Sequence, residues 1–387
     1  MASTELKNAN KAKKDEFYTT YEDIQKELNN YEQHFKGKTV LCNADDPFES
    51  NFAKFFLRNF NYLGLKRLIC TSYNSSPVAG TQVSFFDLME DTPTETGHGY
   101  VMDITKVPMK NGRGVSDEDI NKLLKSKKVV RELKGDGDFR SPECIEYLKQ
   151  SDIVVTNPPF SLFREYIALL MKYNKKMLII GNVNAITYKD VFPLIQNNQL
   201  WLGASIHSGD RKFYVPNDYP LAASGCGIDP DGRKYIRVKG VRWYTNLDYP
   251  QRHEKLILYK TYTPEEYPYY DNYDAINVDV TSDIPKDFDG VMGVPITFLD
   301  KYNPDQFDIL GESQRGCHPE EMETKKYDDY WEERPDGTKT GSSGGKTNGN
   351  PNLAKNDGKH NYFINAQGHI IQSCYQRIFI RRKEQTK

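Results

Sequence analysis

This 387-residue chain has no long apolar run: stretches such as Ile167 to Met171 and Met177 to Ile180 fall far below the roughly 18 to 20 residues that a membrane helix needs. A membrane span is therefore not expected. The lysine-bearing start, Met1 to Lys14, leads into no apolar segment, so it does not read as a secretory signal, and a cytoplasmic location follows as the expectation. The cysteines, Cys42, Cys70, Cys144, Cys226, Cys317 and Cys374, form no CxxC pair and lack the clustered spacing of a zinc site. They read as buried or incidental thiols, and no metal is expected. A net charge is missing too: 52 Lys and Arg meet 54 Asp and Glu to leave -2, which singles out no partner.

That neutrality is a cancellation between blocks. Four cations against one acid give +3 over Met1 to Lys14, and eight against two give +6 over Gly232 to Lys260. Twenty acids against six cations give -14 over Thr261 to Asp336, and nine cations against two acids give +7 over Gly337 to Lys387. The apolar share, 37% hydrophobic plus 27 glycines, is ordinary for a globular protein, which excludes global disorder, and the length allows two or three domains.

The first half reads as strands alternating with helices. Thr39 to Asn43, Arg67 to Thr71, Asp152 to Thr156 and Lys176 to Gly181 are short apolar runs rich in β-formers. Helices are expected over Phe48 to Asn59, from the Ser141 N-cap with Pro142 at N1 to Gln150, and over Leu162 to Tyr173. Strands apolar along their whole length and separated by helices predict a doubly wound α/β domain with a mostly parallel sheet covered on both faces. After about residue 210 aromatics, Pro, Asp and Gly become frequent, with short alternating segments such as Tyr235 to Lys239 and Lys255 to Tyr259, which predicts a second, mixed α+β region. Residues 335–359, rich in Gly, Ser and Asn, are expected to be a mobile loop. Gly368 to Lys383 alternates again and is expected to return a strand before a basic tail.

The sharpest local signal is the run Asp152-Ile-Val-Val-Thr-Asn-Pro-Pro-Phe160. Two prolines lack donors and fix φ, so Asn157-Pro158-Pro159-Phe160 forms a rigid loop whose carbonyls cannot join a continuing ladder. At the carboxyl end of a parallel strand, where α/β domains bind ligands, the Asn157 amide oxygen and the Pro158 carbonyl are convergent acceptors. An exocyclic amino group of a base offers two donors, and Phe160 offers a face on which that base can stack. Such a site fits methylation of an amino group by S-adenosyl-L-methionine, with hydrogen bonds to the acceptors freeing the nitrogen lone pair for in-line attack. Methylation at C5 of cytosine would need a Pro-Cys nucleophile, and no Pro-Cys dipeptide occurs.

The chain resembles the EcoRI-type adenine-specific DNA methyltransferases over most of its length. The residues that carry the resemblance are Lys14-Asp-Glu-Phe-Tyr-Thr19, Val40-Leu-Cys-Asn-Ala-Asp-Asp-Pro47, Gly135-Asp-Gly-Asp-Phe-Arg140, Thr156-Asn-Pro-Pro-Phe160, Ile180-Gly-Asn-Val-Asn184 and Val294-Pro-Ile-Thr-Phe-Leu-Asp300. The resemblance implies a Rossmann-like methyltransferase fold, S-adenosylmethionine as methyl donor, N6 of a flipped adenine in double-stranded DNA as acceptor, and a C-terminal target-recognition region. It also implies a restriction-modification context with a cognate endonuclease in a prokaryotic cell or phage. A monomer is expected.

Carried onto this sequence, the resemblance makes Asn157, Pro158, Pro159 and Phe160 catalytic. It assigns cofactor contacts to Phe17, Tyr18 and Thr19, to Asn43, Asp45, Asp46 and Pro47, and to Asp136, Asp138 and Phe139. The glycine-rich loop usual after the first strand of methyltransferases is absent, and Asp45-Asp46 stand in its place; either acid can accept from the cofactor or cap the helix that follows. Phe213 is the candidate second wall of the target-base pocket. In the basic block, Arg233, Lys234, Arg237, Lys239 and Arg242 are the candidate DNA-binding residues, since cations neutralise phosphates and Arg can fork onto guanine. The expected organisation is a basic segment 1–14, a catalytic domain 15–210 and a recognition region 211–387. The alternatives are an amino-methyltransferase for cytosine N4, RNA or a protein glutamine, and a catalytically inactive DNA-binding relative.

Overall fold

The computed structural model describes residues 18–48, 50–73, 98–109, 115–207, 209–215, 221, 225–313, 317 and 319–383. The basic segment 1–14, Phe17, the Tyr18 side chain and the end of the basic tail lie outside the described residues. The chain divides into two compact units, one of Met1–Ala185 with Trp201–Tyr249, the other of Ile186–Leu200 with Pro250–Lys387. The division therefore does not fall at residue 210: the segment to Tyr249, with most of the basic block, stays in the first unit.

In the first unit the strands are β1 (Tyr18–Thr19), β2 (Thr39–Cys42), β3 (Arg67–Ser72), β4 (Tyr100–Ile104), β5 (Val130–Glu132), β6 (Ile153–Thr156), β7 (Lys176–Asn182), β8 (Trp201–Leu202), β9 (Asp210–Tyr214), β10 (Gly227–Ile228), β11 (Lys234–Lys239) and β12 (Val241–Thr245). The helices are α1 (Tyr21–Leu28), α2 (Asn51–Asn59), α3 (Asp117–Leu124), α4 (Pro142–Gln150) and α5 (Phe163–Lys172). Eight strands form one sheet in the order β5-β4-β3-β2-β6-β7-β12-β8. The four strands anticipated from the sequence are its centre, β3-β2-β6-β7, and they are mutually parallel. The flanking pairings are antiparallel, so the sheet is mixed rather than mostly parallel. A strand buried on both faces has the same composition in either direction, so the orientation of β4 and β12 could not be read from their residues.

Both faces of the sheet are covered. Val40, Cys42, Leu68, Cys70, Val155, Leu178 and Ile180 pack in one core with Ile24 and Leu28 of α1 and Phe52, Phe55 and Phe56 of α2. The alternate positions Leu41, Ile69, Val154 and Ile179 are also fully buried. On that second face Phe163 of α5 meets Tyr244 edge-on with ring centroids 5.1 Å apart. The α2 helix begins later than the sequence suggests, and neither Asp45 nor Asp46 is its cap: the Ser50 hydroxyl accepts from the amides of Phe52 and Ala53 at 3.0 and 3.4 Å. The α4 cap is as anticipated, with the Ser141 hydroxyl accepting from the Cys144 amide at 3.2 Å and Pro142 in the first turn.

A smaller antiparallel sheet, β1-β9-β11-β10, completes the unit. Its period-2 alternation sends Phe213, Ile236 and Val238 into the core and leaves Arg237 and Lys239 exposed on the other face.

The second unit holds α6 (Phe192–Gln196) and the strands β13 (Ile276–Asn277), β14 (Met292–Pro295), β15 (Phe307–Glu312), β16 (Trp331–Glu333), β17 (Lys339–Ser343), β18 (Asn352–Leu353), β19 (Tyr362–Ile364), β20 (Ile370–Ser373) and β21 (Arg377–Arg382). They form two sheets, β13-β14-β21-β15 and β17-β16-β19-β20-β18. The returning C-terminal strand is thus β21, in the interior of the first of these. Residues 335–359, expected as a mobile loop, instead contribute β17 and β18 to the second. Their order comes from polar bonds rather than from apolar burial of their own: the Gly344 amide donates to the Tyr330 carbonyl at 2.7 Å, and the Asn352 side-chain oxygen accepts from the hydroxyls of Thr347 and Ser373 at 2.7 and 2.6 Å. Lys255 to Tyr259 joins no sheet; the Gln306 amide pairs with both backbone groups of Leu256 at 2.8 Å. No helix of the described residues is long and apolar enough to cross a membrane.

Candidate active site

Chain order and spatial order diverge between β2 and β6. From β2 the chain steps outward to β3, then resumes on the other side of β2 with β6 and β7. Such a reversal opens a crevice at the carboxyl ends of the two strands, the usual ligand position of open α/β sheets. Asn43 to Pro47 follow β2 and Asn157 to Phe160 follow β6, so the two strongest motifs of the sequence meet there.

A buried carboxylate joins them. Asp45 is 6% exposed and accepts from the Ser50 hydroxyl at 2.6 Å and from the Thr156 hydroxyl at 2.5 Å, while its amide donates to the Thr71 carbonyl at 3.1 Å. One side chain thus ties the cap of α2 to the last residue of β6, immediately before Asn157. Burial pushes the Asp45 carboxyl up to about 7, with the neighbouring Asp46 charge acting in the same direction and the Ser50 and Thr156 hydrogen bonds opposing it. Asp46 is 4% exposed and takes the Phe48 amide on Oδ1 at 2.8 Å. Asp45 is therefore engaged by protein hydroxyls, and Asp46 is a second buried acid in the same turn; Pro47, also buried, stiffens the turn.

Asn157 and Pro158 are buried, and Pro159 and Phe160 are partly exposed. Phe160 opens a single 3-10 turn, Phe160–Leu162, that feeds into α5. Asn43, 3% exposed, accepts on Oδ1 from the hydroxyl of Tyr166, a fully buried residue of α5. Thr19 is held near the same loop, because Asn51, at the start of α2, donates to its carbonyl at 2.7 Å.

The Gly135 to Arg140 loop docks on the end of β3. Gly137 has φ +81°, and a Cβ there would stand 2.0 Å from the Ser72 carbonyl oxygen, so only glycine fits this close approach. Gly137→Ala should lower stability by about 2 kcal/mol or more, measurable by denaturant unfolding. Within the loop, one assignment changes. Arg140 grips the Asp138 carboxylate at 2.7 and 2.9 Å and also reaches Glu165 at 2.8 Å, so Asp138 is occupied by an ion pair, while Asp136 is exposed. Phe139, 5% exposed, lies edge-on against Tyr166 with centroids 5.1 Å apart.

Phe213 is corrected as well. It is 1% exposed within the core and presents no open wall. The outward neighbour Tyr214 instead belongs to a cation–aromatic ladder: Lys212 Nζ lies 4.2 Å from the Tyr235 centroid and 4.9 Å from that of Tyr214, and Arg233 lies 4.3 Å over Tyr214. Of the five candidate DNA-binding cations, Arg242 is buried in β12 and donates to the carbonyls of Val241 and His207 at 2.9 and 2.5 Å. Arg233 is engaged by Asp229 and Asp231 at 3.0 and 3.1 Å, and Lys234 is half-buried. Arg237 and Lys239 are exposed on the outer face of the small sheet. Ser50 and Tyr166 lie outside the motifs of the sequence, and Thr156, though part of one, had no role assigned. Ser50 was legible as a capping residue type, whereas the Tyr166–Asn43 bond spans 123 positions and leaves no local signal.

Parallel strands meeting at a switch point, with an Asn-Pro-Pro-Phe loop on one side and buried acids on the other, define a mixed α/β enzyme of the methyltransferase class. The family model described as "Adenine-specific methyltransferase EcoRI" matches residues 5–383, and the chain belongs to that family. It is similar to the Type II methyltransferase M.EcoRI of Escherichia coli, with 48% identity over 309 residues that cover 79% of this chain and 88% of that protein. It is also similar to M.MgeORF184P of Mycoplasma genitalium, 38% identical over 307 residues (78% and 84% covered), and to M.MpnI of Mycoplasma pneumoniae, 38% identical over 306 residues (78% and 83%). No solved structure matches the chain. The resemblance drawn from the motifs is thereby confirmed, and the chain is an adenine-specific DNA methyltransferase.

Proposed function

We propose that the crevice between β2 and β6 binds S-adenosylmethionine beside an adenine flipped out of duplex DNA, and that Asn157 to Phe160 present N6 of that base for methylation. The observation that carries this reading is the Asp45–Thr156 hydrogen bond, which holds the cofactor-side loop and the amino-binding loop at one switch point. The residues present fit such a cofactor. Asn43 Nδ2 and Thr71 Oγ1 are buried without hydrogen-bond partners at the ends of β2 and β3, and Asp46 supplies a buried acid for an ammonium or a hydroxyl. S-adenosylmethionine, when bound, supplies an electrophilic methyl group. The Asn157 amide oxygen and the Pro158 carbonyl accept the two hydrogens of the target amino group, which localises the nitrogen lone pair, and Phe160 stacks on the base. The contribution of the chain is positioning and desolvation, with no covalent intermediate. In this reading the sheet is the doubly wound, Rossmann-like methyltransferase core.

The second unit is assigned target recognition, and phosphate contacts are assigned to the outer face of the small sheet. Arg237→Ala with Lys239→Ala should weaken DNA binding several-fold at low salt and reduce the slope of log K against log salt by about two, with cofactor affinity unchanged. An unaltered salt slope would remove this face from the interface. The relatives carry Type II names, so the protein is read as the modification partner of an endonuclease that acts on the same site, working as a monomer on DNA in a prokaryotic cytoplasm. Labelled S-adenosylmethionine offered with DNA, RNA and protein tests the whole reading. Label should enter DNA alone, as N6-methyladenine in one sequence context, and label in RNA or protein would overturn it.

A further inference from the structure

Asn43 is held by one end of its amide. Its Oδ1 accepts from the Tyr166 hydroxyl, and its Nδ2 is buried with no hydrogen-bond partner. Tyr166 is itself fully enclosed, with Phe139 edge-on against its ring, and burial holds its hydroxyl well above the ordinary tyrosine range, so it stays protonated and remains a donor. With the Tyr166 hydroxyl donating to Oδ1, the two Nδ2 hydrogens are left for something else. A buried donor without a partner is costly, and a ligand that supplies the acceptor offsets that cost. Asn43 lies at the switch point, one residue beyond β2, where a ligand is expected on topological grounds alone.

We propose that Tyr166, through its hydrogen bond to Asn43, is a positioning residue for cofactor binding, and that Asn43 Nδ2 donates to an acceptor atom of the bound cofactor. This inference rests on the reading of the crevice as the S-adenosylmethionine site. It adds a residue of α5 that no sequence motif contains, and it assigns Asn43 the role of donor in a loop whose other polar side chains, Asp45 and Asp46, are acceptors. The acceptor on the cofactor is either its amino-acid carboxylate or its nucleoside.

The test is calorimetric binding to the full chain, paired with steady-state kinetics, for wild type, Tyr166→Phe, Asn43→Ala and the double variant. Tyr166→Phe should weaken S-adenosylmethionine binding about fivefold with kcat at saturating cofactor within about twofold of wild type, and Asn43→Ala should weaken binding about tenfold or more. The double variant should bind no worse than Asn43→Ala, because the tyrosine acts only through the asparagine; a merely structural role would give additive losses and a fall in kcat. Methylthioadenosine, which lacks the amino-acid group, locates the acceptor: an equal loss with both ligands places it on the nucleoside, and a loss confined to S-adenosylmethionine places it on the carboxylate. Thermal melting identifies any variant that has lost its fold. Wild-type affinity in both single variants overturns the inference alone, whereas failure of the wild type to bind S-adenosylmethionine overturns the cofactor reading and this inference with it.

Discussion

Asn157→Ala should lower kcat by about 10²- to 10³-fold, the loss typical when one preorganised polar contact to the reacting group is removed. In the proposed mechanism the amide oxygen is one of two acceptors at the end of β6, and its contribution arises as the amino nitrogen leaves conjugation with the ring, so the loss belongs in kcat rather than in cofactor binding. The groups assigned to the cofactor, Asn43 and Asp46, sit on the β2 loop and are untouched, so S-adenosylmethionine affinity should stay within about twofold. Asn157→Asp keeps acceptor oxygens and should retain more activity than the alanine variant. Single-turnover methylation of duplex DNA separates the two effects, and wild-type turnover in Asn157→Ala would remove the loop from the mechanism.

Asp45→Asn should abolish most of a pH dependence of stability that the wild type carries between pH 4 and pH 7. The Asp45 carboxyl rises from an ordinary value of 3.8 to about 7 on folding, chiefly through burial. In that window the folded chain holds a proton that the unfolded chain has released, so the contribution of Asp45 is fully present below pH 3.8 and is lost as pH rises toward 7. A shift of this size corresponds to about 4 kcal/mol at most. An asparagine cannot titrate, so the variant should gain on the wild type from about pH 4 to pH 7 in urea unfolding and hold a constant difference above that. Methyl transfer should fall all the same, because the carboxylate that receives the Thr156 hydroxyl also anchors the residue before Asn157. Parallel pH profiles for the two proteins would show that Asp45 is ionised throughout, contrary to this account. A carboxylate that weakens the fold while ordering two loops is what a site selected for geometry over stability would hold.

Strand existence was legible because full burial demands uninterrupted apolar runs, and β2, β3, β6 and β7 satisfy that demand locally. Cap chemistry was legible at Ser141 for the same reason, since the bond it makes is three residues away. Reading failed where a residue answers to distant neighbours. The composition of the Gly- and Ser-rich stretch predicts mobility, but hydrogen bonds to the Tyr330 carbonyl and among Thr347, Asn352 and Ser373 hold it in a sheet. Arg242 and Phe213 carry the side chains expected of a DNA contact and a base wall, yet both are buried, Phe213 by the alternation of β9 and Arg242 because β12 is covered on both faces. Charge shows the same limit: summed over the chain it is -2, summed over a block it is +6, and only the fold shows that Arg237 and Lys239 are exposed while Arg242 is not.

The sequence by itself determined the chemistry. A rigid Asn-Pro-Pro-Phe loop ending an apolar strand fits amino-group methylation, and no Pro-Cys dipeptide is present for the C5-cytosine alternative, because these are properties of bonded neighbours and of residue types. The tertiary structure alone decided that β2 and β6 lie side by side, that Asp45 bonds to Thr156 across 111 positions, and that Tyr166 meets Asn43. Those contacts depend on which strands pair and which face each side chain takes, and burial in a shared core sets both.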